Sequence, residues 1–318
     1  MNSQPIGVIG AGVAGLSCAQ LLKKSGHSPL VLEKSRGIGG RLATRRTDLG
    51  FQFDHGAQFI TAQTSGFDAL LEQLTRTGAA GEWPVQDRAV TVGVPSMNAV
   101  AKEIGAGLDI RRNTLVTSIS ETGNGWRLAT DGSEIFCEHL VITVPQPQAL
   151  TLLGAGNPLS REISHARMSP CWTLMAAFSE ASERIATEFT NRFVPNNPLT
   201  WIALNSSKPG RQDVNCWVAQ ADADWSADNL ESDPEEIKTE MLFLLCDELG
   251  LAPSSVRYAS AHRWRFANVE TPLGKPFVRN SAGTLYLGGD WCLDACVEAA
   301  WQSGVAIAEN LLEHLDAS

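Results

Sequence analysis

Gly10, Gly12 and Gly15, spaced as G-x-G-x-x-G, and Glu33, which lies 18 residues beyond the last of them, are residues whose types suit a phosphorylated ligand. Glycine at position 10 permits a tight turn, glycine at 12 lets a pyrophosphate approach the backbone, and glycine at 15 lets a helix pack closely on a strand. Free N–H groups and the positive pole of a helix then face the phosphates. The carboxylate of Glu33 can accept both hydroxyls of an adenosine ribose and would repel a ribose phosphate. Such a constellation needs a strand before the glycines, a helix after them and a second strand ending at the acid. Ile6-Gly7-Val8-Ile9 is a short apolar run suited to a buried parallel strand. Val13 to Ser25 places Leu16, Ala19 and Leu22 on one helical face and stops at Gly26, and Leu30-Val31-Leu32 runs into Glu33. Glycines, helix period, strand and acid agree, and together they specify a bound dinucleotide.

The continuation Lys34-Ser35-Arg36-Gly37-Ile38-Gly39-Gly40-Arg41 follows the acid directly. At the other end, Thr284-Leu285-Tyr286-Leu287 is a strand ending in Gly288-Gly289-Asp290, and a helix begins near Val297. These segments resemble the FAD-dependent amine oxidase and phytoene desaturase superfamily. The resemblance implies non-covalent FAD, since the Ser-Gly-Gly-Cys pattern of the covalent monoamine oxidases is missing. It implies that Gly10, Gly12, Ala14, Gly15, Glu33, Lys34, Gly40, Arg41, Gly56, Ala57, Gln58, Val116, Asp290 and Val297 bind the cofactor. Arg41 would lie over the diphosphate as its charge partner, Asp290 would bind the ribityl and phosphate region, and the helix opening at Val297 would point at the flavin ring. Pro29 and Ala299 depart from the family pattern, at a strand start where proline is tolerable and at a position where glycine is usual.

Composition is that of an ordinary globular enzyme: 318 residues, 43% hydrophobic and 19% charged. A net charge of -10 argues against nucleic-acid or anionic-membrane partners, although Arg41, Arg45 and Arg46 form a local basic patch able to bind phosphates. No segment reaches membrane-spanning length and the chain enters its first strand without a basic, apolar leader, so a cytoplasmic location is expected. Seven scattered cysteines, an odd number, fit free thiols in a reducing compartment. Cys292 and Cys296 are the one close pair; without nearby histidines they make a poor metal site, and they read as packing residues, with a redox pair as the alternative.

Between the terminal motifs the chain reads as two interleaved domains: an α/β, Rossmann-like FAD-binding domain of residues 1–50, 96–147 and 280–318, and an α+β, antiparallel-sheet substrate domain of residues 51–95 and 148–279. Strand patterns at Leu115–Ser120, Trp126–Thr130 and Ile135–Pro145 form a hairpin-rich excursion, and Trp172–Phe178, Trp201–Asn205 and Cys216–Gln220 alternate as the substrate sheet. A helix over Pro234–Leu249 covers that sheet. Of nine tryptophans, most are expected in the core and at least one in a flat aromatic pocket.

Gly40-Arg41-Leu42-Ala43-Thr44-Arg45-Arg46, Phe53-Asp54-His55-Gly56-Ala57-Gln58-Phe59-Ile60-Thr61, His262-Arg263-Trp264-Arg265-Phe266-Ala267 and Gly288-Gly289-Asp290-Trp291 narrow the resemblance to the renalase family, in its bacterial form. It implies oxidation of the 1,2- and 1,6-dihydro isomers of NAD(P)H to NAD(P)+, with hydride passing to flavin N5 and oxygen returning the flavin with release of hydrogen peroxide. No general base is needed, because hydride loss restores an aromatic cation, and catalysis is mostly orientation. Substrate contacts are implied for Gln58, Phe59, Ile60, Thr61, Ser96 and Trp291, the last as a wall for the nicotinamide, with packing as its competing role. Ser96 serves equally as a helix cap. His55 is read as structural to its turn, with a base as the alternative. A flavin amine oxidase, a desaturase and a non-catalytic flavin redox sensor using Cys292 and Cys296 are the rival readings.

Overall fold

The computed structural model describes residues 4–85, 88–179, 189–194 and 197–317. Strand β1 (Gln4–Ile9), helix α1 (Val13–Lys24) and strand β2 (Leu30–Leu32) open the chain. The hairpin β3 (Thr44–Arg46) and β4 (Gln52–Asp54), helix α2 (Ser65–Arg76), the hairpin β5 (Ala80–Val85) and β6 (Arg88–Gly93), and helix α3 (Asn98–Ile104) follow. Next come β7 (Asp109–Arg111), β8 (Val116–Thr122), β9 (Gly125–Thr130) and β10 (Glu134–Ile142), then α4 (Gln146–Leu153) and α5 (Pro158–Ile163). Strands β11 (Arg167–Phe178), β12 (Asn191–Phe193), β13 (Leu199–Leu204) and β14 (Cys216–Ala221) precede helices α6 (Ala223–Asp228) and α7 (Pro234–Leu249) and strand β15 (Val256–Thr271). Strands β16 (Phe277–Arg279) and β17 (Leu285–Gly288) and helix α8 (Val297–Asp316) close the molecule.

The first sheet has a parallel core ordered β17-β10-β1-β2-β7, with β16 antiparallel at one edge and β8 and β9 folded back on β10. Where its central strands pair, Val8, Val31, Leu140, Val141, Ile142, Leu285 and Leu287 are all buried, as a sheet covered on both faces requires. Helices α1 and α8 lie against each other so closely that a Cβ on Gly304 would sit 2.1 Å from the Ala14 carbonyl oxygen.

The second sheet is antiparallel, ordered β12-β13-β14-β11-β15. Period-two alternation sends Trp172, Leu174, Ala176 and Phe178 against Ile237, Met241, Leu245 and Leu249 of α7. The opposite set, Met175, Ala177, Cys216 and Val218, packs on Phe53 of β4. Strand β11 starts at Arg167, earlier than the expected Trp172, because the pairing with β15 shifts register between Ser169 and Cys171. Pro170 sits in that bulge, where its missing N–H breaks no ladder bond and hides the strand's beginning from the alternation pattern. The segment His262–Ala267 belongs to β15, at the sheet's edge. No described helix is long and apolar enough to cross a membrane.

Candidate functional site

Helix α1 begins at Gly12, which provides no side-chain cap, so its first N–H groups stay available. A Cβ on Gly12 would meet nothing within 4 Å, so the space in front of the helix end is clear. Gly10 has φ 103°, a conformation glycine adopts freely, and a Cβ on Gly15 would lie 2.0 Å from the Gly10 carbonyl oxygen. The Glu33 carboxylate is buried and aimed by two backbone donors: Ala11 N–H reaches Oε2 at 2.9 Å and Ser35 N–H reaches Oε1 at 2.8 Å. Each oxygen keeps a lone pair for a ribose hydroxyl. Val116 is buried two residues beyond Thr114, whose N–H donates to the Glu33 carbonyl at 2.9 Å. Lys34 points outward, exposed, and its Nζ donates to Gln148 Oε1 at 3.3 Å. The clear helix end and oriented carboxylate fit the adenosine diphosphate half of FAD.

The remaining cofactor motifs converge on Arg41. The Gly39 N–H donates to the Ala11 carbonyl at 2.8 Å, drawing the second glycine run onto the first. The Arg41 carbonyl accepts the Ala57 N–H at 2.8 Å and lies 2.0 Å from where a Cβ on Gly56 would be. Its guanidinium grips Asp290 in a two-pronged ion pair, 2.6 Å on each side, and donates to the Ala267 carbonyl at 2.8 Å. Arg41 and Asp290, expected as separate contacts to the cofactor, are thus partners of each other. Val297 opens α8, whose start is held by two side chains of its own first turn. Cys296 Sγ accepts the Ala299 N–H at 3.4 Å, while Glu298 accepts the N–H groups of Gln63 at 2.6 Å and Thr64 at 2.9 Å. Cys296 is therefore a cap. Cys292 is buried, and desolvation pushes its thiol up to about 12, so both thiols are spent structurally.

A buried charge network lies under the next motif. Asp54 accepts hydrogen bonds from Thr44 Oγ1 at 2.7 Å, Met97 N–H at 3.0 Å and Arg211 Nη2 at 2.5 Å, with Lys208 Nζ at 3.9 Å. Burial opposes its ionisation, but the Lys208 and Arg211 charges prevail and hold the carboxyl below its usual range. Lys208, over the Trp83 ring, donates to Gln58 Oε1 at 3.0 Å. Gln58 Nε2 donates to the carbonyls of Asp54 at 2.7 Å and Gly56 at 3.0 Å, and Gln220 Nε2 reaches the same Gly56 oxygen at 2.8 Å. The Gln58 amide thus fastens the turn, leaving one Oε1 lone pair for a ligand.

Around that turn the surfaces are aromatic. Phe59 meets Trp201 at a centroid distance of 5.6 Å, and His55 stacks on Trp264 at 5.2 Å with His262 edge-on at 4.9 Å. Trp264 donates its indole N–H to the His55 carbonyl at 2.8 Å. Burial, the neighbouring His262 and the Arg45 charge push His55 down to about 3; burial and Arg45 push His262 to about 4. Both rings are neutral at working pH, and His55 is too weak to serve as a base. Thr61 is half-buried at the end of the turn.

Three expected substrate contacts stand elsewhere. Ile60 is core, its backbone paired with Thr91 at 2.7 and 3.0 Å. Ser96 is buried, donating to Asn98 Oδ1 at 2.7 Å and accepting from Arg46 at 3.2 Å; the residue preceding α3 is Met97. Trp291 is fully buried and its indole donates to the Val144 carbonyl at 3.1 Å, so packing occupies the ring. Lys208, Arg211 and Gln220 escaped the sequence reading because their partners at the turn lie 150 to 164 residues away. Lys208-Pro209-Gly210-Arg211 has the composition of an exposed turn.

A parallel nucleotide-binding sheet with a phosphate-ready helix end, joined to an antiparallel sheet, defines a dinucleotide-dependent oxidoreductase of the flavoprotein class. The family model of flavin containing amine oxidoreductases matches residues 65–312, and that of NAD(P)-binding Rossmann-like domains matches residues 8–95. The chain belongs to the flavin containing amine oxidoreductase family, and its cofactor is FAD. Renalase of Mus musculus is 25% identical over 97% of this chain and 98% of its own. Cyclohexylamine oxidase from Brevibacterium oxydans has the same fold, with TM-score 0.71 and 14% identity over 99% of this chain and 100% of that one. Wild-type putrescine oxidase, bound to putrescine, has TM-score 0.71 and 13% identity over 98% and 99% of the two chains.

Proposed function

We propose that the protein is an oxidase of misreduced dihydro isomers of NAD(P)H, the 1,2- and 1,6-dihydro forms, which it returns to NAD(P)+. One observation carries the reading: the side chains gathered at the Gly56–Gln58 turn offer aromatic faces and no competent base. His55 and His262 are neutral and weakly basic, Asp54 is sealed by its cations, and the Lys208 ammonium is fully buried against Gln58 and Asp54, out of a ligand's reach. A dihydronicotinamide asks for nothing more, since losing hydride leaves an aromatic cation with no proton to remove. Similarity to renalase over nearly the whole chain supports the same substrate class. Bound FAD supplies the hydride acceptor, and oxygen, reduced to hydrogen peroxide, takes the electron pair away.

The protein's own contribution is placement. Lys208, Gln58 and Gln220 lock the Gly56 carbonyl. Phe59, Trp201 and Trp264 present flat faces to a planar ring. Arg41 and Asp290 neutralise each other beside the diphosphate site. We assign residues 1–50, 96–147 and 280–318 to cofactor binding and 51–95 and 148–279 to substrate. Seven free cysteines fit a cytoplasmic location.

Oxygen uptake by the holoenzyme tests the proposal. With 1,2- or 1,6-dihydro-NAD as donor, oxygen consumed, peroxide formed and NAD+ formed should stand in equal amounts. Turnover of primary or secondary amines with aldehyde release, and none of the dihydronicotinamides, would make the protein an amine oxidase instead.

A further inference from the structure

The Arg45 side chain is a half-buried cation with no hydrogen bond and no ion pair of its own among the described residues. Its place follows from the strands. It lies opposite Phe53 in the β3–β4 hairpin and so shares that residue's face. Phe53 stacks on Tyr258 of β15 at 5.7 Å, and His262 and Trp264 follow on the same face of that strand. Arg45 thereby looks along the β15 face toward His262, and its charge is felt at both His55 and His262. His55 is buried, and its Nδ1 makes no hydrogen bond of good geometry, a weak contact to the Phe53 backbone aside. The one carboxylate in the adjoining network, Asp54, already answers to Arg211 and Lys208. The neighbourhood therefore holds uncompensated positive charge together with two neutral imidazoles, each able to donate an N–H.

We infer that Arg45, His55 and His262, beside the Trp264 ring, form a binding site for a phosphate ester, which holds the phosphate arm of the substrate. The assignment of the occupant rests on the dinucleotide reading above. A guanidinium fork with flanking imidazole donors matches the oxygens of a phosphate. The site is separate from the cofactor's own diphosphate partner. Arg41 touches β15 at Ala267, and five residues of strand back to His262 span about 16 Å. Half-buried Arg45, His262 and Trp264 keep it open to a ligand from solvent.

The test uses FAD-loaded protein and two readouts. In the first, ADP-ribose and inorganic pyrophosphate are titrated while tryptophan fluorescence and heat are followed. ADP-ribose should bind wild type, Arg45→Gln should weaken it roughly tenfold or more, and Arg45→Lys should recover part of the loss. Equal binding by wild type and Arg45→Gln, with flavin content unchanged, would overturn the site. In the second, anaerobic flavin bleaching compares a dihydronicotinamide dinucleotide with the phosphate-free riboside. The wild-type preference for the dinucleotide should shrink about tenfold in Arg45→Gln. A preference left intact would overturn the occupant. If no dihydronicotinamide bleaches the wild type, the substrate reading fails, and ADP-ribose binding still decides whether the site exists.

Discussion

Lys208 carries an ammonium group to a position where its side chain has no solvent contact. Desolvation lowers its pKa from 10.5 to about 8, with Asp54 opposing the fall. Below pH 8 the folded and unfolded chains both hold the proton, so the group adds no pH dependence. From about 8 toward 10.5 the unfolded chain keeps a proton that the folded chain has lost, and stability must rise with pH. Compared with Lys208→Met, which cannot titrate, the wild type should gain about 2 kcal/mol between pH 8 and 10 in urea unfolding. Parallel pH curves would show that the ammonium is not desolvated as described. At this scale the sequence revealed residues whose work is local. Gly10, Gly12, Gly15 and Glu33 are recognisable because a turn, a helix end and a strand end lie within one short segment. Lys208 and Arg211 were illegible because nothing near them in sequence marks a turn residue as buried; Asp54 and Gln58 do so, from 157 and 150 residues away.

Helix α7 was legible from end to end, because Asp233 caps its start by accepting the Glu235 N–H and Gly250, with φ 64°, ends it in the left-handed conformation. Strand β11 was legible only in part, since the bulge at Pro170 breaks the alternation. The contact between α1 and α8 depends on one missing side chain. Gly304→Val would drive a Cβ into the Ala14 carbonyl, 2.1 Å away, with backbone on both sides and no flexible group to yield. We expect a loss of at least about 2 kcal/mol in urea unfolding and release of FAD on desalting, because α1 presents the phosphate-binding end. Wild-type stability with full flavin content would mean that the two helices are not held at this distance.

Across the whole molecule, β15 is the element that binds the halves together. It edges the antiparallel sheet, reaches the Arg41 guanidinium through Ala267, and stacks Trp264 on His55. A site built between sheets in this way was legible as motifs but not as pairings. Arg41 and Asp290 were each recognised as cofactor residues, while their mutual ion pair depends on how two short turns 249 residues apart are brought together. Trp264 was visible as an aromatic among nine, but its half-exposed place beside His55, in contrast to the buried Trp291, follows only from the sheet's register. The central claim, hydride removal from a misreduced dihydronicotinamide without a base, is tested most directly by anaerobic mixing of the FAD-loaded protein with each dihydronicotinamide isomer, ordinary NADH and a panel of amines. Rapid loss of the visible flavin band with the 1,2- or 1,6-dihydro form, at a limiting rate unchanged from pH 6 to 9, and slow or no loss with NADH and amines, is the predicted result. Bleaching by amines alone, with a rate that climbs as the amine loses its proton, would contradict it.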